Sequence, residues 1–267
     1  MVRFSVVVFR AAAPDRCGED LLLVEVSRRL MVARKKLEAL NAPHPNSVLG
    51  KIDELTAPFN ASESVRMYLA VAADDLWTLL RYVSKTREVP MVAAYSLIRS
   101  AVEATSYGIW VLKGNGNDIK AQRSLRISLG DFRQHSRLQK LFDTEEFDVT
   151  EIEKQILSLN ARLKGVSPEA IEDEVQATSI VTAADGQVRD RFYFSGLQVW
   201  RSTSGLSHAS LPAISVLLER RPDGMRTSRM TFVAGFAVAA IENMEFLLNS
   251  ASSASADLAL ARQSRTQ

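Results

Sequence analysis

Hydrophobic positions recur at helical spacing over most of the chain. The clearest case is the segment 89–113, VPMVAAYSLIRSAVEATSYGIWVLK, where nearly every position is apolar or small on every face. A helix that is apolar all round is normally buried, so this segment predicts the central helix of a bundle. Pro90 is placed to open that helix, and Gly114-Asn115-Gly116 is placed to end it.

Further long helices are predicted on both sides of the central one. Their apolar positions recur every three or four residues, and proline, glycine or a capping residue marks their ends. The predicted segments are 19–40, 60–85, 118–142, 150–164, 190–209 and 227–249, with a short helix near 52–55 and an apolar segment at 212–218. Capping boxes are predicted at Asn60/Glu63 and at Thr150/Glu153. Because no strand pairing emerges, the predicted fold class is all-α, a bundle of long antiparallel helices.

The segment 144–190 differs from the rest because it is polar and rich in charge. It is predicted to be a peripheral helical insertion in the bundle. After its first helix, Ser167-Pro168 is expected to open an acidic helical segment, with Ser167 as the cap. The β-branched residues at 180–182 are expected to form a short extended piece.

Both ends of the chain are predicted to lie outside the bundle. Residues 1–18 are interpreted as a peripheral arm, because the apolar run at 4–9 is interrupted by Arg10 and is too short for a secretory signal. A single bundle domain is expected over 19–249. The Ala/Ser-rich tail at 250–267 is expected to be flexible.

Composition and charge exclude several classes of protein. A net charge of +2 over 267 residues excludes a polybasic nucleic-acid coat. The single cysteine, Cys17, excludes an internal disulfide and a Cys-rich zinc site, and it fits a reducing cytoplasm. The most apolar stretch, 230–248, carries Glu242, Asn243 and Glu245, which are too polar for lipid. We therefore expect a cytoplasmic protein that makes no membrane contact.

One face of the predicted helix 118–142 carries a line of cations. In chain order they are Arg123, Arg126, Arg133, Arg137 and Lys140. Such a line can bind the phosphates of RNA. Most charge runs are instead solvated helix faces, and this simpler interpretation is the favoured one.

The candidate for chemistry lies near the end of the segment 190–209, at Arg201, Ser204 and His208. Arg201 and His208 are seven residues apart, so they share a helix face about 10 Å apart along the axis. A histidine transfers protons near neutral pH, and a guanidinium holds a phosphate on two N–H donors. Together they suit attack by a ribose 2′-hydroxyl on the neighbouring phosphodiester, with Ser204 orienting the phosphate or the imidazole. Leu197 and Leu211 extend the same line, a pattern typical of polar groups in a groove or an interface.

The same residues also allow a structural interpretation. In it, His208 is a buried histidine with satisfied hydrogen bonds, and Arg201 is tied to an acid such as Glu103. Glu103 itself lies four residues after Arg99 in the central helix. These two are expected to find each other or other polar partners, because an unpaired buried charge is costly.

No metal or cofactor is expected. The three histidines, His44, His135 and His208, are far apart and lack the spacing of metal ligands. The chain also has no Gly-rich phosphate loop and no dinucleotide fingerprint.

At Arg201-Ser-Thr-Ser-Gly-Leu-Ser-His208 the chain resembles the HEPN superfamily (higher eukaryotes and prokaryotes nucleotide-binding). The signature of that family is an Arg, four to six residues and then a His, on one helix of an α-helical bundle. Six residues separate Arg201 from His208, and Ser202 supplies the polar residue that commonly follows the Arg. Asn, Asp or His is more usual there, and Gly205 inside the motif weakens the helix by up to about 1 kcal/mol relative to Ala.

The resemblance implies an RNA-binding domain or a metal-independent endoribonuclease, related to toxins or defence and acting as a homodimer. It implies that Arg201, Ser204 and His208 are catalytic. Arg99 and Glu103 would support them, and the line of cations would guide RNA. The helix with Arg99 and Glu103 is also similar to those of bacterial helical proteins of unassigned activity. The alternative is a non-catalytic helical interaction or regulatory protein that binds a partner protein.

Overall fold

The computed structural model describes residues 16–141, 149–173, 175–188, 191, 193–208, 210–220, 226–228 and 230–256. These residues form an all-α bundle, which confirms the predicted fold class. The helices are α1 (Arg16–Glu38), α2 (Val48–Thr56), α3 (Ala61–Thr86), α4 (Ala93–Leu112), α5 (Asn117–Leu141), α6 (Thr150–Asn160), α7 (Ala177–Asp185), α8 (Gly196–Ser207), α9 (Leu211–Leu217) and α10 (Met230–Ser255). The three-residue strands β1 (Leu218–Arg220) and β2 (Arg226–Ser228) join α9 to α10, and a 3₁₀ turn spans Glu169–Ile171.

Helix α4 is the centre of the bundle, as its pattern predicted. Helices α3, α10, α7 and α8 all pack against it. Gly108 permits a close approach of α10, because a Cβ at this position would lie only 2.6 Å from a methyl carbon of Leu247. The predicted start at Pro90 is wrong: residues 91–92 form a turn, and α4 begins at Ala93.

Two predicted capping boxes are absent at their helix starts. Asn60 is the residue before α3 but makes no side-chain cap, and its amide instead donates to the Glu63 carboxylate at 3.4 Å. Thr150 is the first residue of α6 and not its cap. Glu153 does not reach back to the helix start either, because it pairs with a residue of α5. A tertiary partner has therefore replaced a local one.

The predicted extended piece at 180–182 is wrong, because these residues lie inside α7. Ile180 and Val181 are buried, and α7 packs against α4. Burial against a neighbouring helix outweighs the weak β-preference of branched side chains. This end of the predicted peripheral insertion therefore belongs to the core, while Ser167-Pro168 precedes only the 3₁₀ turn.

The strands β1 and β2 correct the expectation that no strands pair. They form an antiparallel ribbon in which Glu219 lies opposite Thr227. At the end of the chain, α10 continues six residues beyond its predicted end at 249. The predicted arm is helical from Arg16 onward, and its residues 1–15 lie outside the described residues, as do 257–267 of the predicted tail.

Among the described helices, α10 has a segment, Phe232–Ser255, that is long and apolar enough to cross a membrane by length and composition alone. However, 72% of its apolar window is buried inside the bundle, which is typical of the core helix of a soluble protein. Its charges also have a structural use. Glu242 and Glu245 both face Arg29 of α1, and the Arg29 Nε donates to Glu245 at 3.1 Å.

Candidate functional site

Helix α8, which carries the Arg-x6-His motif, begins later than predicted. Its start is a capping box: Gln198 N–H donates to the Ser195 hydroxyl at 3.1 Å, and Ser195 N–H donates to the Gln198 side chain at 2.9 Å. This capping box was not predicted, although Ser-x-x-Gln is a recognisable signal in the sequence. It places the helix start at Gly196 and not at 190, so the motif occupies the second half of α8.

The motif ends at a tight junction between α8 and α9. Gly205 O accepts a hydrogen bond from Ser210 N–H at 2.9 Å. A Cβ on Gly205 would lie 3.1 Å from the Cβ of Ala213 in α9. The glycine inside the motif is thus explained by packing, since a larger residue would push α9 away. Leu211 is the first residue of α9. It therefore does not extend the predicted line through Arg201, Ser204 and His208 on α8, and only Leu197 does.

Arg201 and His208 are both exposed, and Ser204 between them is half-buried. His208 is the C-cap of α8, and its backbone N–H bonds to Ser204 O at 3.1 Å. Within the described part of the chain, neither the imidazole nor the Arg201 guanidinium has a hydrogen-bond partner. The structural interpretation is therefore wrong for both residues, because neither is buried. Arg201 is not tied to Glu103.

The Glu103 carboxylate is bound by Trp200, the residue next to Arg201. The Trp200 indole Nε1 donates to Glu103 Oε2 at 2.8 Å. Successive helical residues point about 100° apart. Because α8 turns Trp200 toward α4, Arg201 is directed away from Glu103. The supporting role expected of Glu103 toward Arg201 is consequently not seen.

Arg99 and Glu103 do pair, at 3.7 Å between the Arg99 Nε and Glu103 Oε2. The Arg99 guanidinium also lies 5.4 Å from the centre of the Trp200 ring. Both charged side chains remain about three-tenths exposed, so the pair is not sealed in the core. Arg99 Nε itself is buried without a hydrogen bond among the described residues.

Arg99 and Glu103 line a cleft of about 660 Å³ between α3, α4, α5 and α8. The remaining lining residues are Tyr68, Ser96, Ser100, Ala104, Tyr107, Ile127, Asp131 and Ser207. Ser207 belongs to the Arg-x6-His motif and lines the cleft, whereas Arg201 and His208 are not among the lining residues. The i, i+4 spacing of Arg99, Glu103 and Tyr107 on one helix face was a usable signal in the sequence. Tyr68 and Asp131 come from other helices, and no sequence signal placed them in this cleft.

Two tyrosines and an aspartate form the end of the cleft away from Arg99. The rings of Tyr68 and Tyr107 are 5.9 Å apart between centroids. Burial raises the pKa of Asp131 above its ordinary value. Burial and the nearby Asp131 carboxylate together raise the pKa of Tyr68, and burial with Glu103 and Asp131 raises that of Tyr107. Among the described residues, no cationic side chain forms an ion pair with Asp131.

The line of cations on α5 is largely used for packing. Arg123 donates to Trp110 O at 2.6 Å and lies over the Trp110 ring. Burial lowers the pKa of Arg123. Arg126 Nε donates to Asp173 O at 2.9 Å, next to the 3₁₀ turn.

The outer cations of the same line differ in their contacts. Arg133 Nε donates to Glu153 Oε1 of α6 at 2.8 Å, whereas Arg137 is exposed and makes no hydrogen bond or ion pair among the described residues. The side chain of Lys140 lies outside the described part. Arg123, Arg126 and Arg133 therefore bind the protein itself, and Arg137 alone of the four described arginines faces solvent unpaired.

No protein-family model matches the chain, and neither a curated protein nor a solved structure is significantly similar to it. The exposed motif of α8 and the cleft beside it are therefore the candidate functional features of the protein.

Proposed function

We propose that this protein is a HEPN-like RNA-binding domain with metal-independent endoribonuclease activity at Arg201 and His208. The observation that supports it is the exposure of both side chains, two helical turns apart, without hydrogen-bond partners among the described residues. A structural arginine or histidine is normally satisfied by neighbours. Free donors on a solvated face are instead available to a phosphodiester from outside.

In the proposed reaction, His208 takes the proton of a ribose 2′-hydroxyl. The 2′-oxygen bonds to the adjacent phosphorus, the bond to the 5′-oxygen breaks, and this leaving oxygen takes a proton from water. The products are a 2′,3′-cyclic phosphate and a 5′-hydroxyl end. Arg201 holds the non-bridging oxygens, whose negative charge grows as the bonds change, and Ser204 orients the phosphate.

The proposal includes a homodimer that acts in the cytoplasm. Leu211 and Val216 on α9 are 76% and 50% exposed, which supplies apolar surface next to the motif for a second copy. Cys17, the single cysteine, fits a reducing compartment. Arg137 remains available to guide RNA, while a toxin or defence role follows only from the family resemblance.

Cleavage of a fluorescent single-stranded RNA in EDTA tests the proposal. We expect His208→Ala to reduce the rate by about 100-fold or more, because general acid–base catalysis contributes at least that much. His135→Ala is the matched control, since His135 is an exposed histidine on α5, outside the motif. It should cleave as wild type does. Activity that survives His208→Ala unchanged, or a wild type that cleaves no RNA, contradicts the nuclease proposal.

The second candidate is a non-catalytic helical interaction or regulatory protein. The observation that favours it is the use of Glu103 by Trp200 and of Arg123, Arg126 and Arg133 by intramolecular contacts. Under this alternative the wild type neither cleaves RNA nor binds it in fluorescence anisotropy. Binding without cleavage, lost on Arg137→Ala, would instead support an RNA-binding domain.

A further inference from the structure

The cleft beside α8 has the size of a small-molecule site. Its volume of about 660 Å³ lies within the usual range for such pockets, roughly 300–1,000 Å³. Four helices form it, so its shape is set by the packed bundle and not by one mobile loop. Its lining is largely polar, with six polar or charged side chains beside two phenol rings and the apolar Ala104 and Ile127. Such a lining suits a polar or charged ligand better than an apolar one.

The charges in the cleft favour a cation. Two carboxyl groups, those of Glu103 and Asp131, line the cleft together with one cationic side chain, that of Arg99. Arg99 already faces Glu103 and the Trp200 ring. Asp131 is left without a hydrogen bond or ion pair among the described residues. A carboxylate with no partner is free to form a charge-assisted hydrogen bond with a positively charged ligand.

The aromatic groups in the cleft point to the same chemistry. The rings of Tyr68 and Tyr107 line the cleft and pack against each other, 5.9 Å apart between centroids and tilted by 47°. The charge of the nearby Asp131 carboxylate helps to raise the pKa of both hydroxyls. Neither hydroxyl has a hydrogen-bond partner in the described residues. A cation near a phenol face is attracted by the ring quadrupole, and a carboxylate beside the rings adds to this attraction.

We propose that this cleft binds an organic cation, an ammonium or guanidinium group on a small molecule, beside the packed rings of Tyr68 and Tyr107 and against the Asp131 carboxylate. The site is separate from Arg201 and His208, which lie outside the cleft lining. The proposal does not depend on nuclease activity.

Calorimetric titration of the full chain, without RNA, tests this proposal with three probes. Putrescine carries ammonium groups, methylguanidine carries a guanidinium, and 1,4-butanediol is the neutral analogue of putrescine. We expect putrescine or methylguanidine to bind with a Kd of about 1 mM or tighter and butanediol not to bind. The stronger of the two cations identifies which group the cleft prefers.

Two aspartate variants control for non-specific attraction. Asp131→Asn keeps the shape of the side chain and removes its charge, and it should weaken binding at least about tenfold. Asp74→Asn makes the same change at an exposed position of α3 outside the cleft and should leave the Kd unchanged. Tyr107→Leu removes one ring and should also weaken binding, whereas His208→Ala should bind as wild type does.

The folding of Asp131→Asn is not expected to be impaired, because Asp131 is exposed and makes no hydrogen bond or ion pair among the described residues. Its helical circular dichroism and melting temperature verify this. The proposal is overturned by a wild type that binds neither cation, by equal affinity for butanediol, or by equal losses in Asp131→Asn and Asp74→Asn.

Discussion

The Trp200 indole donates a 2.8 Å hydrogen bond to the Glu103 carboxylate, across the contact between α8 and α4. Trp200 is only 9% exposed, whereas its neighbour Arg201 is exposed. The bond lies on the buried face of α8, which also carries Val199, Thr203 and Leu206, and that face sets how α8 is oriented. Glu103 is held on the cleft side, and the Arg-x6-His motif is presented to solvent.

Replacement of Trp200 by Phe should destabilise the bundle. The ring volume is largely kept, but the hydrogen bond to a charged acceptor is lost, and such bonds contribute about 1.5–3 kcal/mol. Urea unfolding measures the change. Trp77→Phe is the matched control, because Trp77 is half-buried under Arg34 and its indole N–H has no partner among the described residues. A Trp200→Phe loss no larger than that of Trp77→Phe would contradict this role.

Two helical glycines should respond in opposite directions to replacement by alanine. At Gly130 in α5 nothing lies within 4 Å of an added Cβ, so Gly130→Ala should stabilise by about 0.5–1 kcal/mol through helix propensity. At Gly108 in α4 the Cβ would meet Leu247 at 2.6 Å. Gly108→Ala should therefore cost about 1–3 kcal/mol from overpacking. Chemical denaturation measures the free energy of unfolding of both variants. A change of the same sign in both would contradict the tight contact of α4 with α10 at Gly108.

The Asp75 carboxyl should make stability depend on pH. Burial raises its pKa above the ordinary 3.8, only partly offset by the Ser100 hydroxyl, and Oδ2 is buried without a hydrogen bond among the described residues. A raised native pKa means that the folded protein binds this proton more tightly than the unfolded chain. The contribution of Asp75 to stability is therefore greatest below pH 3.8 and is lost as the pH rises through the raised native value.

The matching experiment compares Asp75→Asn with wild type near neutral pH and near pH 3.8. The variant removes a disfavoured charge, so it should be more stable than wild type near neutrality, and this advantage should shrink toward the acidic end. Glu54→Gln serves as control, because it removes one exposed carboxylate from α2 and measures how far the loss of a surface charge alone affects the comparison. An Asp75→Asn advantage that grows on acidification would show that the sign is wrong.

Local signals explain why much of the helical layout was predictable. The apolar pattern of α4 identifies it as the central helix, because burial on all faces requires apolar residues on all faces. The pairing of Arg99 with Glu103 was also predictable, since residues four apart on a helix are neighbours before any tertiary contact forms. Helix ends were less certain, as Pro90 and Asn60 show, because turns and side-chain partners nearby compete for the same cap.

What the sequence by itself determined is therefore the all-α class, the central position of α4 and the short-range pairs along each helix. The packed bundle decided which face of α8 meets α4, so that Trp200 and not Arg201 binds Glu103. It also decided that Arg133 pairs with Glu153 and that Tyr68 meets Asp131 in one cleft. Periodicity fixes which residues share a helix face, but it carries no information on which other helix that face will meet. The contacts across the bundle arise only when distant segments dock.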